Sequence, residues 1–171
     1  RLSGGAEVTG TATQVARGFD IDATLDGPSG TTAKVAGLVG TDGQLELDAA
    51  GYAQLGLINP FIAPRTIAGL ASFDLTVDGP AALSSLRGRV STEGTRISAP
   101  KLPLSLSNLT GSVDLNNGSA QLDFTGQVTE GGTLRLSGPI SLASGFPAQF
   151  DVGLENVVLT DRVLYTSVVN G

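Results

Sequence analysis

Apolar and polar residues alternate along most of this chain, a pattern typical of β-strands that have one sheltered face. Between Ala120 and Leu142 nearly every even position is apolar or glycine, whereas the odd positions carry mostly Gln, Asp, Thr, Arg and Ser. Similar alternation occurs in further runs at positions 19–25, 45–49, 71–77, 102–115 and 146–154. The pattern predicts an all-β protein with about ten to twelve strands.

Turn-forming residues separate the alternating runs. Asp42-Gly43 and Asn117-Gly118 predict hairpins, because Asn, Asp and Gly tolerate positive φ. Pro28, Pro80 and Pro139 each follow a glycine and predict strand ends or edges, since proline cannot donate to a ladder. One segment departs from the alternation, and here we expect a short helix or loop near residues 50–60.

A five-residue motif recurs with glycine at its centre. An apolar residue stands two positions before the glycine, and Val stands two positions after it. The copies are VAGLV, LRGRV, LTGSV and FTGQV, and their glycines are Gly37, Gly88, Gly111 and Gly126. Each glycine falls within the apolar row of its run. A position without a side chain lets a sheet bend sharply or lets another strand approach closely, so we expect these four to be bend glycines. The alternative is coincidence in a chain with 24 glycines.

Composition excludes several classes of function. The chain has 171 residues, a formal net charge of −6 and only ten scattered Lys and Arg residues, so we expect no nucleic-acid partner. It contains no His and no Cys, and therefore lacks the usual general base, thiol nucleophile and zinc ligands. Asp20 and Asp22 are interpreted as a solvated strand face. We expect no enzymatic activity, no metal and no cofactor.

Three stretches resemble the β-repeat region of the TamB family, which belongs to the AsmA-like group of envelope proteins. Residues 53–80 resemble its Leu-rich Asn-Pro-Phe segment, residues 86–115 its strand array, and residues 146–171 its closing aliphatic tract. The resemblance covers roughly residues 15–171. The membrane helix and the outer-membrane-facing domain of full-length members are not in this chain. We therefore expect residues 1–171 to be one segment of a longer β-groove array.

The resemblance implies an elongated twisted sheet, curled into a U-shaped trough with an apolar interior. It also implies a periplasmic location within an inner-membrane-anchored protein of a Gram-negative bacterium. The implied partners are phospholipid acyl chains and an outer-membrane barrel protein of the TamA or BamA type, with membrane contact through parts outside this chain.

The leading hypothesis is a hydrophobic groove that carries phospholipids between the inner and outer membranes. Its expected lining consists of apolar residues from four of the alternating runs: Phe19, Ile21, Leu25, Phe73, Leu75, Val77, Leu122, Phe124, Val128, Leu134, Leu136, Ile140, Phe150, Val152 and Leu154. The alternative is a chaperone-like scaffold whose exposed sheet edges receive strands of outer-membrane proteins by β-augmentation. A third hypothesis is a structural β-solenoid with a closed core.

Overall fold

A computed structural model of the protein describes residues 5–98, 105–161 and 165–170. These residues form thirteen strands, one α-helical turn and three short 3-10 turns. The strands are β1 Glu7–Val15, β2 Gly18–Asp26, β3 Thr32–Gly40, β4 Gln44–Gln54, β5 Thr66–Ala68, β6 Leu70–Pro80, β7 Leu86–Ser98, β8 Ser105–Asn116, β9 Ser119–Val128, β10 Thr133–Ser141, β11 Asp151–Glu155, β12 Val157–Asp161 and β13 Tyr165–Val169. The 3-10 turns are Pro28–Gly30, Leu55–Ile58 and Leu83–Ser85, and α1 is Asn59–Ile62.

Eleven strands form one antiparallel sheet in the order β1-β2-β3-β4-β6-β7-β8-β9-β10-β11, and β5 pairs with β7 beside this path. Except for the short strand β5, consecutive strands of this sheet therefore lie next to each other, as in a meander. β12 and β13 form a separate hairpin, which is joined to the main sheet by the hydrogen bond from Val158 N to Gly131 O at 3.1 Å. Within the described residues the sheet is open, and it curls into a trough with an apolar interior. The predicted fold class is confirmed.

The predicted turns form as their residues dictate. Asn117 and Gly118 have φ of 44° and 88°, the double positive φ of a two-residue hairpin, and they join β8 to β9. β3 and β4 are joined through the Asp42-Gly43 turn. Pro139 lies inside β10, beyond Ser137, where the ladder between β10 and β11 ends.

Two predicted elements differ in extent from the structure. The break expected near residues 50–60 begins only at Leu55, because β4 extends through Gln54. The alternating run at 146–154 is strand only from Asp151 onward, since Gly145 and Phe146 adopt the positive φ of a turn. The apolar positions 102 and 104 of another predicted run lie outside the described residues.

Bulges in β7 and β8 bend the sheet and change which side chains face its interior. The register of β7 shifts between Thr92 and Ile97, and that of β8 shifts between Ser107 and Thr110. An extra residue bends a strand and reverses the alternation after it. As a result, odd-numbered Ile97 faces the same cavity as even-numbered Thr92.

Candidate functional site

The apolar runs of separate strands align into rows that cross the sheet. Residues directly opposite each other in an antiparallel pair project from the same face, so the register defines these rows. One row passes through nine strands without a polar residue: Val8, Leu25, Ala33, Gly51, Phe73, Val90, Val113, Leu122 and Gly138. A second row does the same: Gly10, Ala23, Val35, Ala49, Leu75, Gly88, Leu115, Ala120 and Ile140. The interior of the trough is thus one continuous apolar surface.

Apart from residues 55–67, which lie over part of it, no second layer of described residues covers this apolar surface. Only five apolar side chains in the described part of the chain are buried: Ala71, Leu109, Ala120, Val128 and Val157. The chain exposes 10961 Å² of surface, against about 7,800 Å² for a compact monomer of its 17.2 kDa mass. The excess surface is what an open trough, rather than a closed core, produces.

The predicted lining residues share this face but differ in exposure. Phe19, Phe150 and Val152 are exposed by 44%, 47% and 54%, and Val128 is buried. Phe150 immediately precedes β11 instead of lying within it. The other predicted residues are half-buried: Ile21, Leu25, Phe73, Leu75, Val77, Leu122, Phe124, Leu134, Leu136, Ile140 and Leu154.

A half-enclosed cavity of about 300 Å³ lies on the apolar face of β6 to β10. Four of the predicted lining residues meet there, namely Leu122, Phe124, Leu134 and Leu136. The remaining lining comes from residues outside the predicted groove lining: Leu55, Ile67, Ala71, Val90, Ser91, Thr92, Thr95, Ile97, Leu106, Leu109 and Val113. We call this space the cap cavity, because residues 55–67, the cap segment, contribute Leu55 and Ile67 to it.

Hydrogen bonds tie the helical part of the cap segment to Ile67, its end within β5, and β5 pairs with β7 of the sheet. The side-chain amide of Asn59 donates from Nδ2 to Ile67 O at 3.1 Å and accepts at Oδ1 from Ile67 N at 2.8 Å. Asn59 thereby pairs with Ile67 as a neighbouring strand would. Leu55 N also donates to Gly69 O at 2.9 Å, which fixes the other end of the segment.

The hydroxyl groups that line the cap cavity are paired with protein partners. Thr92 Oγ1 donates to Leu70 O at 2.8 Å, and Thr95 Oγ1 lies 2.5 Å from Thr92 Oγ1. Ser91 Oγ lies 2.9 Å from Ser72 Oγ. No buried side-chain nitrogen or oxygen atom in the described residues lacks a partner. With no charged side chain in its lining, the cavity suits an apolar occupant.

The four motif glycines divide into two kinds. Gly37 and Gly88 have φ of 134° and 125°, a conformation that other residues rarely adopt, and a Cβ atom at either would collide with a carbonyl oxygen of the adjacent strand. Gly111 and Gly126 do not have positive φ and lie beneath side chains, although a Cβ atom at Gly111 would also collide with the Asp123 carbonyl oxygen of the adjacent strand. A Cβ atom there would come within 2.6 Å of Phe124 Cδ1 and 3.0 Å of Leu109 Cδ1, respectively. Their role in bending the trough remains a prediction.

The outer face carries polar and charged side chains. Arg89 donates to both carboxylate oxygens of Asp114, from Nε at 2.5 Å and from Nη2 at 3.0 Å. This hydrogen bond and the opposite charge raise the pKa of Arg89, and the hydrogen bond lowers the pKa of the Asp114 carboxyl. Both side chains are exposed, so their ion pair adds little to folding stability.

No protein-family model, curated protein or solved structure matches this chain. Among the residues that the structure describes, no helix is long and apolar enough to cross a membrane. The same residues contain no group of three or more acidic side chains arranged to hold a metal ion.

Proposed function

We propose that this chain is a segment of a hydrophobic groove that carries phospholipids between the inner and outer membranes of a Gram-negative bacterium. The observation that carries the proposal is the pair of apolar rows, each crossing nine strands, with no described layer over them apart from the cap segment. Monomeric proteins rarely leave a large contiguous apolar surface open unless it binds something. The resemblance to the TamB family supplies the periplasmic setting.

The chemistry of the trough supports acyl chains as its cargo. Its rows consist of aliphatic residues, phenylalanine and glycine, with no charged side chain that would hold one headgroup. Each methylene transferred from water to such a surface contributes roughly 0.8 kcal/mol. Because its lining is mostly half-exposed, the surface shelters a chain only in part, which allows the chain to leave again.

Site-specific photo-crosslinking in cells tests the proposal. A photoreactive benzoylphenylalanine is placed at Phe124 or Leu136, which are register partners on the apolar face. The matched controls are Thr125 and Arg135, register partners on the opposite face and one residue away from the first pair. We expect phospholipid adducts at the first pair alone. Equal labelling of both pairs, or none at the apolar pair of a folded protein, would contradict a lipid groove.

A second candidate function, a scaffold that receives strands of outer-membrane proteins, is favoured by the edge strand β1. All nine residues Glu7–Val15 are exposed, and β1 pairs with β2 on one side only within the described residues. Its sequence contains no Lys, Pro or bulge, the devices that usually protect an edge from further pairing. An open backbone edge of this kind accepts an incoming strand.

The same crosslinker at Thr11 tests the scaffold, with Thr125 again as the control. Thr11 lies at the middle of β1, so an added strand would pass beside it. Adducts with outer-membrane barrel proteins at Thr11, without lipid adducts at Phe124, would favour the scaffold. Lipid adducts at Phe124 without protein adducts at Thr11 would favour the groove.

A further inference from the structure

We infer that the cap cavity is a discrete site that holds the end of a single alkyl chain, about twelve carbons of it. This inference deepens the proposed lipid-carrying function and rests on it. The trough elsewhere is an open surface, whereas here the cap segment and the bent ends of β7 and β8 bring apolar side chains together around one space. The trough therefore contains at least one place where a chain can be held, as well as surface along which it can pass.

The polarity of the cap cavity sets the chemistry of its occupant. No side chain in its lining carries a charge, and its hydroxyl groups are already hydrogen-bonded within the protein. A headgroup placed inside would lose its hydration and find no free partner, at a substantial energetic cost. The headgroup consequently stays outside the cavity, and only the hydrocarbon enters.

The volume of the cap cavity sets the length of the chain that it holds. An apolar protein cavity of about 150 Å³ binds one benzene molecule, which has six carbons. The cap cavity measures about 300 Å³ and accommodates roughly twice as many carbons by the same comparison. A longer phospholipid acyl chain would therefore have its end in the cavity and its remainder in the open trough.

Binding of n-alkanoic acids of 8 to 18 carbons, measured by calorimetry below their micelle concentrations, tests the inference. We expect Kd to fall about fourfold for each added methylene up to about twelve carbons, the change that full burial produces. Beyond that length the gain should drop below about twofold, since further methylenes lie on half-exposed surface. A constant gain up to 18 carbons would overturn the discrete site.

Val113→Phe places a ring in the cap cavity, whereas Leu75→Phe places one on the same apolar face outside it. The break is the chain length beyond which the gain in affinity per methylene drops. We expect Val113→Phe to move this break to shorter acids and Leu75→Phe to leave it unchanged. Identical breaks in both variants would overturn the assignment. If Val113→Phe does not fold, Leu55→Ala serves instead: it opens one wall of the cavity and should weaken binding of the ten- and twelve-carbon acids by at least about fourfold.

The series of alkanoic acids and the crosslinking experiment together distinguish failure of the cap cavity as a site from failure of the lipid groove. Lipid adducts at Phe124 and Leu136 together with a break-free length series would refute the cap cavity as a site and leave the groove intact. Absence of both adducts and alkanoic-acid binding would refute the groove and the cavity together.

Discussion

The Phe124 ring lies over the backbone of Gly111, its register partner, and a Cβ atom at Gly111 would come within 2.6 Å of Phe124 Cδ1. The Asp123 carbonyl oxygen would also obstruct that atom. We therefore expect Gly111→Ala to destabilise the fold by about 1–3 kcal/mol, the usual cost of overpacking. Urea unfolding followed by circular dichroism measures the change.

Gly126→Ala is the matched control for that substitution. Its Cβ atom would lie 3.0 Å from Leu109 Cδ1, the far end of a flexible side chain that can move aside. We expect a change within about 1 kcal/mol of the wild type. Equal costs for the two substitutions would show that the contact between Phe124 and Gly111 does not limit the approach of β8 and β9.

Substitution of Gly88 tests whether a position with positive φ in the apolar row requires glycine. Its φ of 125° and the adjacent Asp74 carbonyl oxygen leave no place for a Cβ atom, so Gly88→Ala should cost about 1–3 kcal/mol. Gly153→Ala in β11 is the control, since its Cβ atom would meet only Arg135 Cβ at 3.7 Å. Thermal unfolding of both variants decides: a stable Gly88→Ala protein would contradict the expectation.

Asn59 should determine how firmly the helical part of the cap segment is attached to β5. Asn59→Ala removes both hydrogen bonds to the Ile67 backbone, each contributing about 1 kcal/mol. We expect hydrogen exchange of the Ile67 amide to accelerate at least roughly tenfold, with the amide of Phe124 as an unchanged reference. Asn59→Asp retains the acceptor for Ile67 N and should give intermediate exchange. Unchanged exchange at Ile67 in the alanine variant would mean that other contacts hold the segment.

The pair of Arg89 and Asp114 gives a pH-dependent prediction. Because the hydrogen bond from Arg89 lowers the pKa of Asp114, the pair contributes stability above the unfolded-state pKa of Asp114 and loses it as pH falls through the folded-state pKa. Arg89→Gln should raise the pKa of Asp114 toward its ordinary value, as followed by carboxyl NMR. Arg135→Gln, on another strand, should leave that pKa unchanged.

The strands and their inward face could be predicted because alternation with period two is a local property of the sequence. Phe73, Leu75 and Val77 lie on the predicted face, and Asn117-Gly118 forms the predicted turn, since each depends on neighbouring residues only. The register between strands then follows from short connections along the meander.

The cap cavity could not be predicted in the same way. Its outline depends on bulges that reverse the alternation after Thr92 in β7 and near Asn108 in β8, and a single extra residue leaves little trace in a hydrophobic pattern. Gly94 and Asn108, both at positive φ, were the available cues. The bonds between Asn59 and Ile67 are a tertiary contact that no spacing rule indicates.

The meander has a consequence for how long such a molecule can be. Each strand packs chiefly against its two neighbours, so stability accumulates from one interface to the next, as in repeat proteins, without a central core that must be completed. Ten strands spaced about 4.8 Å apart extend about 45 Å, and each further hairpin would add about 10 Å. The length of the trough is thus a quantity that hairpin duplication can adjust, at nearly constant stability per hairpin.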